Sequence, residues 1–195
     1  LASSASRFLS YEIGIGTKKT LNNIFCMTMN IHILFAVLIL IFSETIGLWY
    51  FFHEMVIPED RRIASFIVYQ LSNLSAIFAI LVVPYRSMII AKEHMKAFAY
   101  ISIVEAFAKM FIALCLTVVE FDRLILYGFL LFVVQVSIMY LYYRYCKKHF
   151  EESHFSRYWD KNVFKEMFVF SGWSVCSYVS TGVVSQIYNL MLNLF

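Results

Sequence analysis

The sequence is poor in charged residues, in glycine and in proline. Only 15% of its 195 residues are charged, against roughly 25% in soluble domains, and it contains 6 glycines and 2 prolines. Hydrophobic residues make up 61% of the chain, and the mean hydropathy is +0.72. This balance excludes an ordinary soluble domain, so we predict an integral membrane protein.

The sequence also lacks the short motifs that carry common enzyme and metal chemistry. It contains no GxSxG, no HExxH and no Walker-type glycine loop. Its 4 cysteines form no CxxC pair, and no His-rich spacing accompanies them, so neither a disulfide framework nor a metal site is indicated. We therefore expect no cofactor and a function other than that of an enzyme.

Long apolar windows predict an all-α polytopic membrane protein. A helix needs about 20 apolar residues to cross a core of roughly 30 Å, whereas a barrel strand needs only about 9–11. The windows are longer than a barrel strand, and apolar and polar residues do not alternate strictly within them. The polar tail of an earlier span precedes them at Leu1–Ser6. The five predicted spans are Ile31–Phe52, Ile63–Tyr85, Ala97–Val119, Leu124–Tyr143 and Met167–Phe195.

The distribution of Lys and Arg predicts how these spans are oriented. Twelve of the 16 Lys and Arg residues lie before the first span, between the second and third, or between the fourth and fifth. The alternate loops hold three, and the remaining one is Lys109. The Lys- and Arg-rich segments are therefore expected in the cytoplasm, where they contact membrane lipids. Nucleic-acid binding is not needed to explain the net charge of +3.

Two features predict the domain organisation. The chain begins with Leu1 and ends inside an apolar run, so we expect a piece of a longer polypeptide. Arg144–Glu166 is polar and aromatic without Pro or Gly, which suits either an amphipathic helix on the inner leaflet or a linker between two bundles. The expected units are residues 1–143, 144–166 and 167–195. Pro84 predicts a kink or helix end around Val82–Tyr85.

An ionisable pair lies inside the third span. Glu105 and Lys109 are four residues apart in the order that favours a same-face ion pair, and Ser102 extends the polar stripe. A charge near the bilayer centre costs at least about 2.5–3.5 kcal/mol, so Lys109 is expected to face protein or water. Two interpretations stay open: a self-neutralising pair between helices, or a cavity-lining site for an anionic substrate or a coupling ion.

Other polar residues within the spans have competing interpretations. Glu44 either binds and releases a proton or pairs with Arg61 or Arg62, and the pairing is favoured. Gln70 and Asn73 either bond across a helix interface or contact the substrate, and the bond across the interface is favoured. Polar residues form a stripe along the last span, and this pattern favours close helix packing and a water-filled pathway equally. The stripe comprises Ser171, Ser174, Tyr178, Thr181, Ser185 and Tyr188.

Two arginines at the predicted inner mouth, Arg7 and Arg86, are candidates for holding phosphate. Guanidinium groups bind phosphate in a bidentate manner. Most basic residues at this position only anchor a membrane protein, so that alternative remains open for both.

Several strings resemble bacterial polysaccharide biosynthesis membrane proteins. These are the lipid-linked oligosaccharide flippases of the multidrug/oligosaccharidyl-lipid/polysaccharide exporter superfamily, which also contains the MATE drug exporters. The resemblance extends over nearly the whole chain, and it consists in the order and the composition of the matching strings. It is carried by Arg7–Gly14, Glu44–Trp49, Val56–Pro58 before Arg61, Val83–Tyr85, Ala91–Ile103 and Phe170–Trp173.

The resemblance implies a MATE-like architecture of two six-helix lobes around a central cavity. Alternating access would flip an undecaprenyl-diphosphate-linked oligosaccharide across the bacterial inner membrane, with glycan polymerases or glycosyltransferases as further partners. This chain would run from the end of the second helix to the start of the seventh, with Arg144–Glu166 as the interlobe linker. Members often carry a small polar residue after the Pro-Tyr pair, where this chain has Arg86.

The hypothesis assigns a role to each candidate residue. Lys109, Arg7, Arg86 and Ser102 are expected to contact the substrate, and Glu105 and Glu44 to couple an ion. A cation-coupled drug or metabolite exporter of the same superfamily is the alternative. A membrane-embedded glycan-modifying enzyme is a second alternative.

Overall fold

The computed structural model describes residues 2–118, 122–156, 158–170 and 172–173, and all regular secondary structure in these residues is helical. Four helical stretches are long and apolar enough to cross a membrane: Lys18–His53, Glu59–Ala91, Met95–Thr117 and Arg123–His149. They coincide with the first four predicted spans. The fifth predicted span and its polar stripe lie almost entirely outside the described residues.

Seven α-helices joined by short turns occupy most of residues 2–149 in the described part of the chain. Two 3₁₀ turns, Glu59–Arg61 and Glu151–Ser153, and one π-helical turn, Ser43–Gly47, accompany them, and residues 161–170 are again helical. The π turn joins α2 to α3 without a break. The helices are α1 (Ala2–Ile15), α2 (Lys18–Phe42), α3 (Leu48–His53), α4 (Arg62–Leu81), α5 (Val83–Ala91), α6 (Met95–Val118) and α7 (Arg123–His149).

Local sequence signals explain where helices begin and end. Thr17 caps α2 in a capping box with Thr20, and the Asp122 side chain accepts a hydrogen bond from Leu124 N at 3.1 Å at the start of α7. The predicted break near Pro84 is confirmed: α4 ends at Leu81 and α5 begins at Val83. Proline is tolerated there because the first turn of a helix has no intrahelical acceptor for its amide.

The turn between α5 and α6 depends on an unusual backbone conformation. Glu93 has φ 59°, the left-handed region normally occupied by glycine. His94 N donates to Ile89 O and Glu93 N donates to Ile90 O, both at 3.0 Å, which is the Schellman arrangement that closes a helix. The chain therefore reverses within three residues, and α6 returns alongside α5.

The helices pack most tightly toward the predicted cytoplasmic end. A buried cluster there joins α1, α2, α5 and α7 through Leu9, Phe25, Tyr85, Met88, Tyr142 and Cys146. In the outer half, α4 packs against both α2 and α7, and Gly128 of α7 admits Val68 of α4 to close contact. Helices that are not consecutive in the chain, such as α4 and α7, are thus in contact.

The segment after α7 is not one continuous amphipathic helix. Helix α7 extends to His149, a 3₁₀ turn covers Glu151–Ser153, and helical structure resumes at residue 161. We call residues 150–160 the connector. Its described residues outside the 3₁₀ turn have no regular structure, so their backbone groups need partners from elsewhere in the chain.

Candidate functional site

Glu105 is the centre of a three-residue charge cluster. Its Oε1 lies 2.6 Å from Lys109 Nζ, which confirms the predicted i, i+4 pair, and its Oε2 lies 3.6 Å from Arg86 Nη2. The third member comes from α5, which the sequence pattern did not connect to this pair. We call Arg86, Glu105 and Lys109 the charge cluster. Because it holds two cations and one carboxylate, its net charge is positive.

Arg86 is held in place by aromatic rings. Its guanidinium carbon lies 5.5 Å from the ring centroid of Phe98 on α6 and 5.5 Å from that of Tyr142 on α7. Cation–π contacts of this kind orient a guanidinium while leaving its N–H groups available for anions. Among the described residues, Arg86 Nε and the Tyr142 hydroxyl are buried and have no hydrogen-bond partner. The cluster therefore retains unused hydrogen-bonding capacity.

The three side chains differ in exposure. Glu105 is 20% exposed, Arg86 33% and Lys109 51%. A rise of about 1.5 Å per residue places Glu105 about 15 Å and Lys109 about 21 Å along α6 from Met95. The ammonium group is thus the accessible end of the cluster, at a depth well inside a core of roughly 30 Å.

The other two predicted substrate residues occupy different surroundings. Ser102 is half-buried on the same helix, one turn before Glu105, and forms no side-chain hydrogen bond among the described residues. Arg7 is exposed on α1, and its guanidinium carbon lies 4.7 Å from the centroid of the Phe170 ring. No ion pair or hydrogen bond in the described ranges joins Arg7 to the charge cluster. The structure therefore groups Arg86 with Lys109 and leaves Arg7 apart.

The favoured pairing of Glu44 with Arg61 or Arg62 is wrong. Gln70 Nε2 donates to Glu44 Oε2 at 3.3 Å, which instead confirms the predicted cross-helix role of Gln70. Arg61 Nη1 lies 2.7 Å from Asp122 Oδ2, and the Arg62 guanidinium lies over the Phe52 ring. The reason is geometric, because the turn before α4 carries Arg61 toward the start of α7.

Glu44 lies in the π-helical turn Ser43–Gly47, which the sequence analysis did not anticipate. The Tyr69 hydroxyl of α4 donates to Ser43 O at 2.6 Å and lies 2.8 Å from Ser43 Oγ. A Cβ on Gly47 would meet this same hydroxyl, so the glycine permits the close approach. We call Ser43, Glu44, Gly47, Tyr69 and Gln70 the π-turn site. Such π turns often lie at functional sites.

Asn73 does not form its predicted bond. Its Nδ2 is buried and has no hydrogen-bond partner among the described residues. The sequence therefore predicted the π-turn site only in part. It predicted the cross-helix hydrogen bond of Gln70 correctly and that of Asn73 wrongly. Nothing in the sequence singled out Tyr69 beyond its position on α4.

Basic residues at the predicted inner end are engaged by the connector. Lys18 Nζ lies 2.8 Å from Glu151 Oε2, and Lys92 Nζ lies 3.2 Å from Glu152 Oε1. The hydrogen bond from Lys18 and its positive charge hold the pKa of the Glu151 carboxyl below its ordinary value. These lysines are more than general membrane anchors, because each has a specific acidic partner.

Within the described part of the chain, no group of three or more His, Cys, Asp or Glu side chains could hold a metal ion. Comparison with protein-family models, with curated proteins and with solved structures gives no match to this chain. Functional inference therefore depends on the geometry of the two polar sites and on the sequence resemblance.

Proposed function

We propose that this chain forms most of one lobe of a MATE-like flippase in the bacterial inner membrane, and that it moves an isoprenoid-diphosphate-linked oligosaccharide. The single observation that supports this most is the sharing of one carboxylate, Glu105, by two cations, Arg86 and Lys109. A site with surplus positive charge at membrane depth suits an anionic headgroup that has to leave water.

The charge cluster suggests how the diphosphate is bound. A diphosphate offers several oxygens to the same donors that Glu105 now engages, and charge-assisted bonds to phosphate are strong. In this mechanism the substrate displaces the Glu105 carboxylate from Lys109, and Arg86 keeps its orientation through Phe98 and Tyr142. Glu105 then serves as the internal anion that neutralises the site when it is empty, so it exchanges with substrate as access alternates.

The coupling role falls to Glu44 in this scheme. Glu105 has two cationic partners, whereas Glu44 has only the neutral amide of Gln70 and, within the described ranges, no cationic partner. A carboxylate without a counter-ion has more to gain from binding a cation or a proton. The sequence assigned both Glu105 and Glu44 to ion coupling. In this scheme Glu105 exchanges with the anionic substrate, and Glu44 is the coupling group.

Lys109 gives the most direct test. In the reconstituted full-length protein, Lys109→Ala should reduce flipping of a fluorescent lipid-diphosphate sugar by about tenfold to a hundredfold, since it removes a charge-assisted contact. Lys109→Arg should retain much of the activity. Lys96→Ala is the matched control, because Lys96 is an exposed lysine near the start of the same helix. Full flipping by Lys109→Ala, with normal membrane insertion, would remove Lys109 from the mechanism.

The π-turn site favours a second candidate, a cation-coupled drug or metabolite exporter. An unpaired carboxylate suits a cationic cargo as well as a coupling ion. Deletion of the gene separates the two functions: accumulation of lipid-linked sugar supports the flippase, and hypersensitivity to cationic drugs supports the exporter.

A further inference from the structure

Helix α2 carries a row of polar side chains that does not belong to either polar site. Asn22, Cys26 and Asn30 recur at every fourth residue, so they lie on one face of the helix. We call these three residues the ladder. In a helix destined for a membrane, two amides and a thiol in line need partners, and they find them in the connector.

The ladder binds the main chain of the connector. Asn22 Nδ2 donates to the carbonyl oxygens of Glu152 and His154, both at 2.7 Å, and Asn30 Nδ2 donates to Tyr158 O at 2.9 Å. Between them, Ser156 N donates to Cys26 Sγ at 3.1 Å. Side chains of α2 thereby satisfy four backbone groups of the connector: the carbonyl oxygens of Glu152, His154 and Tyr158 and the amide of Ser156.

Two ion pairs hold the first part of the connector. Lys18 at the start of α2 binds Glu151, with both side chains more than 70% exposed, and Lys92 after α5 binds Glu152, with both less than 25% exposed. Phe150 is buried beside Lys92. The connector is therefore attached to two helices of the bundle at once, through contacts that form only when it lies along α2.

These contacts suit a reversible attachment. Apart from Phe150, which belongs to the buried cluster, they are a few neutral hydrogen bonds and two ion pairs near the aqueous end of the bundle, and each neutral bond changes an equilibrium by only about two- to tenfold. The segments on either side of the connector are α-helical, whereas its described residues contain only one 3₁₀ turn, so it can leave α2 without unfolding an α-helix. Local segments of this kind open more readily than the core.

The helical segment that follows the connector also packs against α2. Within it, Met167 packs against Met27 and Ile31, and the Phe168 ring stacks on that of Phe35 at 5.7 Å. We propose that the ladder is a releasable docking site for the connector, and that the connector leaves it when the following helix moves during transport. The docking itself stands on these contacts, and the link to transport rests on the proposed flippase function.

Cys26 reports on docking directly. It is fully buried beneath the connector, so a maleimide should label it only when the connector is released. The test uses the full-length protein in native membranes, with Cys115, Cys146 and Cys176 replaced by alanine. Asn22→Ala together with Asn30→Ala should accelerate Cys26 labelling by about tenfold. Asn23→Ala is the matched control, because Asn23 forms no hydrogen bond to the connector in the described residues, and it should label at the parental rate.

A disulfide tests whether release is needed for transport. Cys26 Sγ lies 3.4 Å from Ser156 Oγ, so Ser156→Cys in the same background places two sulfurs within reach of each other. Oxidation should form the cross-link and stop flipping of the fluorescent lipid-diphosphate sugar, and dithiothreitol should restore it.

The outcomes separate the two proposals. Equal labelling rates in the double variant and the parent would overturn docking by the ladder. Undiminished flipping by the fully oxidised protein would overturn release during transport. If the unsubstituted protein flips nothing, the flippase function is contradicted, while the labelling rates still decide whether the ladder holds the connector.

Discussion

Glu105 and Glu44 are the same residue type at comparable depth in two predicted spans, yet the structure gives them opposite surroundings. Glu105 contacts two cations, Lys109 and Arg86, whereas Glu44 contacts the neutral amide of Gln70. The role of a carboxylate within a predicted span therefore does not follow from its residue type and position alone. Whether it neutralises a site or binds an ion depends on the charges that neighbouring helices bring to it.

The difference arises from how each carboxylate acquires its partners. Lys109 comes from the same helix as Glu105, one turn further on, and Arg86 is added because the break at Pro84 begins α5 beside α6. Glu44 lies instead in a π turn that meets α4, where Gln70 donates to Glu44 and Tyr69 donates to the neighbouring Ser43. The charge cluster therefore contains three charged side chains, whereas Glu44 in the π-turn site is surrounded by neutral hydrogen-bonding groups.

The strongest test of this comparison neutralises each carboxylate in turn. Glu105→Gln should lower the free energy of unfolding by about 2 kcal/mol, because it leaves two partly buried cations side by side, although partial exposure reduces the loss. Glu44→Gln should change it by no more than about 0.5 kcal/mol, since the neutral partner remains. The measurement is thermal or denaturant unfolding of the full-length protein in detergent.

A compensating variant sharpens the same comparison. Adding Lys109→Gln to Glu105→Gln removes one of the two unpaired cations and should recover part of the lost stability. Equal losses for the two single variants would mean that the two carboxylates share one kind of environment, contrary to the structure.

Alanine should change stability in opposite directions at Gly47 in the π-turn site and at Gly14 in α1. Gly47→Ala places a methyl group against the Tyr69 hydroxyl, so the ring must move and its bonds to Ser43 are lost. We expect a net loss of about 1 kcal/mol after allowing for the better helix propensity of alanine. Gly14→Ala in α1 meets nothing within 4 Å and should gain roughly 0.5–1 kcal/mol.

Unfolding curves for Gly47→Ala, Gly14→Ala and the parent protein measure both effects. Tyr69→Phe combined with Gly47→Ala provides the control, because without the hydroxyl the methyl group should be accommodated. A stabilising Gly47→Ala would show that the tyrosine does not depend on the glycine.

The smallest expected effect lies beside Arg86. The Tyr142 hydroxyl is buried without a hydrogen-bond partner among the described residues, so Tyr142→Phe should leave stability unchanged or raise it by up to about 1 kcal/mol. The ring that supports Arg86 is retained. Flipping activity tests whether the Tyr142 hydroxyl contacts the substrate. A loss of activity in Tyr142→Phe with unchanged stability would show that it does.

Several features of the fold were predictable because they are local. Apolar length located the four described spans, Pro84 marked the break between α4 and α5, and the i, i+4 spacing paired Glu105 with Lys109. Each depends on residues near one another in the chain. The partners of Arg86 and Glu44 were missed because they come from other helices, and helix rotation is not encoded in spacing alone.

The connector illustrates the same limit. Its composition marked it as a boundary, but its mixture of charges and aromatics fitted two structures equally well. Asn22 and Asn30 decide its position through bonds to main-chain carbonyls, which every residue possesses. Recognition of backbone atoms leaves no complementary signature in the sequence of the bound segment.

By itself the sequence determined that the described residues are helical, where their four stretches long and apolar enough to cross a membrane lie, and that a cation and a carboxylate share one face of α6. Hydrophobic length and helical periodicity are short-range properties, and they act before any two helices meet. Only the tertiary structure decided that Arg86 joins Glu105, that Glu44 has no cationic partner among the described residues, and that the connector lies on α2. Those outcomes depend on the angle and depth at which helices pack, which are set by side chains far apart along the chain.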